Sequence, residues 1–215
     1  YVTGGSVGLA LTADGGIDAI KILDGGGAGS GTISFEVNNA NRFKLDTNSR
    51  ISLSNNGGTS NTVFGKLAGD DLQAGGTYNS FFGENAGHAV TTGDYNVAIG
   101  INSLDVSTNA QRVTAIGTAT MRGNATADAI GAVAVGYSAL NALTSGVANT
   151  AVGYESLKVN QQGDYNTAIG YESLKSNIDG GDNTAVGYRA LAGLNIDSSD
   201  TSASYNTAIG ARALD

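Results

Sequence analysis

Few residues in this chain are suited to catalysis. His88 is its single histidine, so a Ser-His-Asp relay would have to be built on one imidazole, and a histidine zinc site could not be built at all. Gly4-Gly5-Ser6-Val7-Gly8 matches the Gly-x-Ser-x-Gly pattern of a nucleophile elbow. An elbow also needs a strand running into a helix, and the flanking residues offer none. With 33 glycines, such a match arises by chance. No cysteine is present to supply a thiolate. Asp70-Asp71 and the pair Asp197, Asp200 carry oxygen ligands suited to calcium, but the Gly-Gly-x-Gly-x-Asp repeat that builds such sites in β-helices is missing. They read as solvated loop carboxylates. The expectation is a protein that is not an enzyme, with no catalytic residue, no metal and no cofactor.

More can be read from side chains that return at a constant interval. Tyr137, Tyr154, Tyr171 and Tyr188 recur in step, and stacked coils would align their rings in a column. Such a column either packs ring on ring, edge to face, or offers a platform to a sugar; the packing role is the plainer one. Glu155, Glu172, Arg189 and Arg212 run beside it as a solvated polar face, with Lys158 and Lys175 placed to neutralise each rung locally. Thr150, Thr167, Thr184 and Thr207 form a further column. A single threonine column is a poor ice plane and reads as hydroxyls bonding along the coil.

All these columns require a backbone that repeats. Aligned on glycine, nine copies stand at Gly65, Gly83, Gly100, Gly117, Gly136, Gly153, Gly170, Gly187 and Gly210, and the commonest spacing is seventeen. Asn lies four residues before the glycine at Asn61, Asn79, Asn96, Asn149, Asn166, Asn183 and Asn206, with Val113 and Ala132 as exceptions. An apolar residue directly precedes the glycine, as at Ile99, Val152, Ile169 and Val186, and Ala stands before that from Ala98 onward. A small residue follows three places later, then Leu or Met: Leu104, Met121, Leu140, Leu157, Leu174, Leu191, Leu214.

Asn-Thr-Ala-Val/Ile-Gly is short and β-branched, which predicts a strand with Ala and Val/Ile on opposite faces. Gly93-Asp94-Tyr95 and Gly163-Asp164-Tyr165 are turn chemistry. Glu155-Ser156-Leu157-Lys158 has helical propensity, but the neighbouring glycine and the short window argue against a helix. A seventeen-residue unit cannot bury an apolar face alone, so the copies must stack as a solenoid. Nine rungs at about 4.8 Å would run for roughly 40 Å. The chain has no proline at all, as expected where nearly every backbone N–H is committed to a ladder.

Residues 1–58 lack the repeat and read as a β-rich shaft or connector ahead of the repeat domain, 59–215. Gly25-Gly26-Gly27-Ala28-Gly29-Ser30-Gly31 reads as a joint at 25–31. Two alternating runs between Phe35 and Leu45, around an Asn-rich turn, predict a hairpin that Ile51 and Leu53 would continue. The net charge of −8 argues against any grip on nucleic acid. No apolar run is long enough to insert in a membrane. Tyr1 at the start and an unfinished repeat at the end suggest a piece of a longer protein.

The Ala-Ile-Gly-x-x-Ser core at Ala98–Ser103 and Ala168–Ser173 resembles the head repeat of YadA-like trimeric autotransporter adhesins. The longer form, Asn-Thr-Ala-Ile-Gly-Tyr-x-Ser-Leu, is similar to repeats of phage tail fibres, and Asn38-Asn39-Ala40-Asn41-Arg42-Phe43 resembles their shaft segments. The adhesin unit is shorter and carries Val where Thr stands here. What the resemblance implies is an all-β, left-handed parallel β-roll of about nine rungs that assembles as a homotrimer. It further implies a virion tail fibre acting in host attachment, with other fibre or baseplate components and a host cell-surface glycan or protein receptor as partners. The alternative it implies is the head of a bacterial surface adhesin that binds host matrix or cells.

Overall fold

The computed structural model describes residues 60–126, 129–193 and 204–215, together with the backbone of three earlier strands. The chain divides into two compact units, Tyr1–Thr47 and Asn48–Asp215. In the first, β1 (Ile33–Val37) and β2 (Ala40–Leu45) pair antiparallel, Ile33 opposite Leu45 and Val37 opposite Ala40. This is the predicted hairpin. The Gly-rich joint, the Ser6 motif, Asp197 and Asp200 lie outside the described residues.

The second unit is a parallel β-solenoid and contains no helix among its described residues. Its nine parallel strands are β4 (Thr62–Phe64), β5 (Ser80–Phe82), β6 (Val97–Ile99), β7 (Thr114–Ile116), β8 (Val133–Val135), β9 (Thr150–Val152), β10 (Thr167–Ile169), β11 (Thr184–Val186) and β12 (Thr207–Ile209). They are hydrogen-bonded in chain order. Each residue lies opposite its own equivalent, so Thr167, Ala168 and Ile169 meet Thr150, Ala151 and Val152 on one side and Thr184, Ala185 and Val186 on the other. Ahead of them, β3 (Ile51–Ser52) pairs antiparallel with β4, Ile51 opposite Phe64. Ile51 therefore covers the outer edge of the first rung instead of extending the hairpin. An open parallel edge leaves a row of N–H and C=O groups unpaired, and a short antiparallel strand satisfies them.

Each rung strand has three residues, of which the middle one is buried and its neighbours face out. Ala98, Ala115, Ala134, Ala151, Ala168 and Ala185 are fully buried, while Ile99, Ile169 and Ile209 are 40%, 41% and 72% exposed. The predicted alternation holds. Leu104, Met121, Leu140, Leu157 and Leu174 turn back and bury completely against the alanines.

The turns work by left-handed backbone at fixed positions. In the rung of Gly153, Ala148, Glu155 and Leu157 have φ of 51°, 51° and 49°, which excludes a helix over 155–158. Gly153 itself stands at φ 140°. A Cβ there would strike the Gly170 carbonyl, 2.6 Å from its carbon, and Gly170 stands in the same relation to Gly187. Conformation and close approach both demand glycine in this column.

The buried asparagines form a column of their own. Asn166 Nδ2 donates to the Gly180 carbonyl (2.7 Å), closing the corner of its rung, and Asn166 Oδ1 accepts from the Asn183 backbone N–H (3.1 Å). Asn149 likewise donates to Gly163 (2.7 Å) and accepts from the Asn166 N–H (2.9 Å), and Asn96 donates to Ala110 (2.8 Å). One amide thus closes one turn and ties it to the next.

Core volume is exchanged within a rung. The first two rungs bury Val63 and Phe81 where later ones bury Ala, and they carry Gly69 and Gly87 where later ones carry Leu or Met. A Cβ on Gly87 would lie 2.5 Å from the Phe81 ring. Large-with-Gly and Ala-with-Leu are two fillings of one cross-section.

Candidate functional site

The outward strip of the solenoid is made by three residues per rung, the two flanking the buried Ala and the one after the glycine. From β8 to β12 these are Val133, Val135, Tyr137; Thr150, Val152, Tyr154; Thr167, Ile169, Tyr171; Thr184, Val186, Tyr188; and Thr207, Ile209, Ala211. None is charged. The strip continues toward β4 with Ile99, Phe82 and Phe64, which are 40%, 39% and 50% exposed.

The four predicted tyrosines come together as a continuous stack. Centroid separations are 5.2 Å for Tyr137–Tyr154, 5.0 Å for Tyr154–Tyr171 and 5.4 Å for Tyr171–Tyr188, with interplanar angles of 14°, 6° and 19°. The rings lie parallel, not edge to face. In-register parallel strands carry equivalent side chains in equivalent rotamers one rung apart, which leaves no room for a tilted ring. Arg212 continues the column, its guanidinium 5.8 Å from the Tyr188 ring. Both faces of Tyr154 and Tyr171 are therefore covered, and ring edges face solvent. The rings thus pack on one another, the plainer of the two roles expected of the column. A second stack, Tyr78 on Tyr95 at 4.9 Å, is continued by Arg112 at 5.7 Å.

The adjoining acidic and basic row is solvated only in part, with Arg212 exposed and Glu172 and Arg189 half-buried. Glu155 is buried, and its carboxylate accepts from Lys158 Nζ (2.7 Å) and Lys175 Nζ (2.6 Å). Lys175 also reaches Glu172 (2.8 Å). Neutralisation is thus local within each rung, as expected, and Lys175 adds a bridge to Glu155 of the preceding rung, because the left-handed turn at Glu155 points its carboxylate along the stack. The hydrogen bond from Lys158, then that from Lys175, holds the Glu155 carboxyl below its ordinary range, and the two glutamates raise Lys175. Desolvation, followed by the nearby Glu172 charge, raises the Tyr171 phenol above its usual value.

The threonine column also departs from expectation. Among the described residues the hydroxyls of Thr150, Thr167 and Thr184 bond to no neighbouring rung: they face outward, and equivalent hydroxyls about 4.8 Å apart are beyond hydrogen-bond reach of one another. The coil-spanning hydroxyls stand elsewhere: Ser156 donates to the Ala168 carbonyl (2.9 Å), Ser173 to that of Ala185 (3.1 Å), and the turn residues Thr91 and Thr144 to those of Thr108 (3.0 Å) and Gln161 (2.9 Å). Sequence reasoning also missed Asn160 and Asn177, which donate to Gly163 (3.0 Å) and Gly180 (2.9 Å). Their shared period, each three residues before a glycine, was the available signal. No group of three His, Asp or Glu side chains converges as a metal site among the described residues.

The predicted rung residues Gly100, Gly117, Gly136, Gly153, Gly170, Gly187 and Gly210 all adopt positive φ. Asn96, Asn149, Asn166 and Asn183 are buried, and Asn206 is partly so. No family model, curated protein or solved structure matches this chain.

Proposed function

We propose that this chain is a length-setting segment of a viral tail fibre. Three copies pack through the apolar column that directly precedes the glycines, Phe64 to Ile209, leaving the tyrosine column beside it open, and the assembly spaces a host-receptor contact away from the particle. The observation that carries this reading is the apolar column directly before the glycines. A series of equal rungs exposes Phe64, Phe82, Ile99, Ile169 and Ile209 in one column, on a chain with a net charge of −8. Aligned apolar side chains over many rungs are the mark of a covered surface. A homotrimer covers each such column with identical neighbours in matching register. Glycan or protein receptors, and baseplate or other fibre components, are then engaged by other parts of the fibre.

Sedimentation equilibrium of the purified chain tests the assembly: a trimer is expected, and a monomer at micromolar concentration overturns it. Ile99→Lys combined with Ile169→Lys should give a monomer that keeps its β-type circular dichroism. Antibodies raised to the chain should label phage tails and block adsorption. Labelling of an uninfected bacterial surface would instead favour the adhesin head.

A further inference from the structure

The stacked tyrosines, whose side chains the proposed fibre role leaves unused, occupy a geometry suited to covalent chemistry. Tyr154 and Tyr171 lie nearly parallel (6°) at 5.0 Å, each 42–44% exposed, with further rings on both sides at 5.2 and 5.4 Å. A radical formed on any ring of the column is within one ring spacing of another phenol. The structure assigns this ladder, Tyr137 to Tyr188, as an oxidative cross-linking site at which a peroxidase-type one-electron oxidant joins neighbouring rungs through dityrosine.

The chemistry balances as follows. Each of two phenols loses one electron to the oxidant and its O–H proton to a base, giving two phenoxyl radicals. Their ortho carbons form one C–C bond, and the two ortho hydrogens shift to oxygen to restore the phenols. The net loss is two electrons and two protons, which hydrogen peroxide accepts through a haem peroxidase to give two waters. The phenol protons pass to solvent water, which the half-exposed rings meet directly. Half-exposed rings have room to swing about their side-chain torsions and bring the ortho carbons together. The ladder needs no partner chain for this, so the assignment stands whether or not the chain is a fibre.

Exposure and stacking make opposite forecasts. Among the described residues Tyr205 and Tyr165 are the most exposed tyrosines at 82% and 57%, and neither is in ring contact with another described residue. If accessibility alone governed oxidation, those two would react first.

The test exposes dilute folded protein to a haem peroxidase with hydrogen peroxide, reads dityrosine fluorescence, and maps the linkage by tryptic digestion and fragmentation. Cleavage after Lys158 and Lys175 separates Tyr154, Tyr171 and Tyr188 onto three peptides. An intramolecular Tyr154–Tyr171 link, lacking two hydrogens, is expected as a leading product. Replacing all four ladder tyrosines with Phe keeps the stack and should cut dityrosine by more than half, the remainder coming from Tyr78–Tyr95. Tyr165→Phe should leave the yield unchanged. Links dominated by Tyr165 or Tyr205, links only between chains, or the same yield after unfolding in denaturant would each overturn the assignment.

Discussion

Phe81→Ala and Gly87→Leu should each damage the solenoid, and together they should restore it. Phe81 is fully buried, so truncating its ring leaves a cavity expected to cost about 3–5 kcal/mol. Gly87→Leu alone places a Cβ 2.5 Å from the Phe81 Cε2 and Cζ, and overpacking of this kind costs about 1–3 kcal/mol. The two single costs sum to about 4–8 kcal/mol. In combination the rung becomes the Ala-with-Leu filling seen at Ala98 and Leu104, and Leu tolerates the required backbone, since Gly87 has φ 59° and Leu104 has φ 54°. A volume-conserving exchange should cost below about 1.5 kcal/mol. The double-mutant cycle therefore predicts a favourable coupling of several kcal/mol between two positions six residues apart in sequence. Because stacked repeats lose stability locally, denaturant melts should be read alongside hydrogen exchange at the amides of Ala86 and Val97. If the double variant is as unstable as the sum of the singles, the volume-exchange argument is wrong.

Three further perturbations probe other parts of the rung. Gly153→Ala and Gly210→Ala impose similar left-handed strain, φ 140° and 125°, but only Gly153 faces another carbonyl; Gly210→Ala should cost about 1–3 kcal/mol and Gly153→Ala clearly more, and equal losses in chemical denaturation would refute the close-approach argument. Asn166→Ala removes the bond to Gly180 and the acceptor for Asn183 inside the core, so denaturation should register a loss of about 2–5 kcal/mol, whereas Thr167→Val, on the outward face, should stay within about 0.5 kcal/mol. Glu155 has a folded pKa below its unfolded one, so its contribution is complete above the ordinary carboxylate pKa of about 4.3 and fades as pH falls through the lowered folded value. Glu155→Gln should lower Tm at pH 7 and flatten the acid limb of Tm against pH, and an unchanged acid limb would show that the Lys158 and Lys175 contacts contribute nothing.

The columns were legible from period alone. Spacing put Gly, Asn, Ala and Leu into lines, and alternation separated Ala168 from Ile169 correctly, because strand geometry leaves only two faces. Orientation within the turns was not legible. Glu155 looked like a surface charge because nothing local in its sequence announces a residue with φ 51°; the left-handed bend that points its carboxylate toward Lys175 comes from closing the coil. Ring geometry was misjudged for a related reason. Edge-to-face packing is the preference of free pairs, whereas Tyr154 and Tyr171 are held parallel by the rungs that carry them.

The missing prolines are explained by the turns more than by the strands. In the rung of Asn149, the N–H groups of Thr150, Leu157 and Gln161 donate to the following rung, at Asn166, Ser173 and Ile178, while those of Gly153, Glu155 and Tyr165 donate to the preceding one, at Val135, Tyr137 and Val147. Five of these six donors lie outside β9, so the ladder runs through the corners and a proline there would break a bond between rungs. The left-handed residues follow from the same demand. Ala148 and Glu155 adopt φ of 51°, and each donates its N–H to the preceding rung, at Ile130 and Tyr137. A conformation that costs roughly 1–2 kcal/mol per residue in an isolated chain is retained because it lets the corners share in the ladder. Side chains just past the glycine are thereby locked into register, and the parallel tyrosine stack follows from that lock.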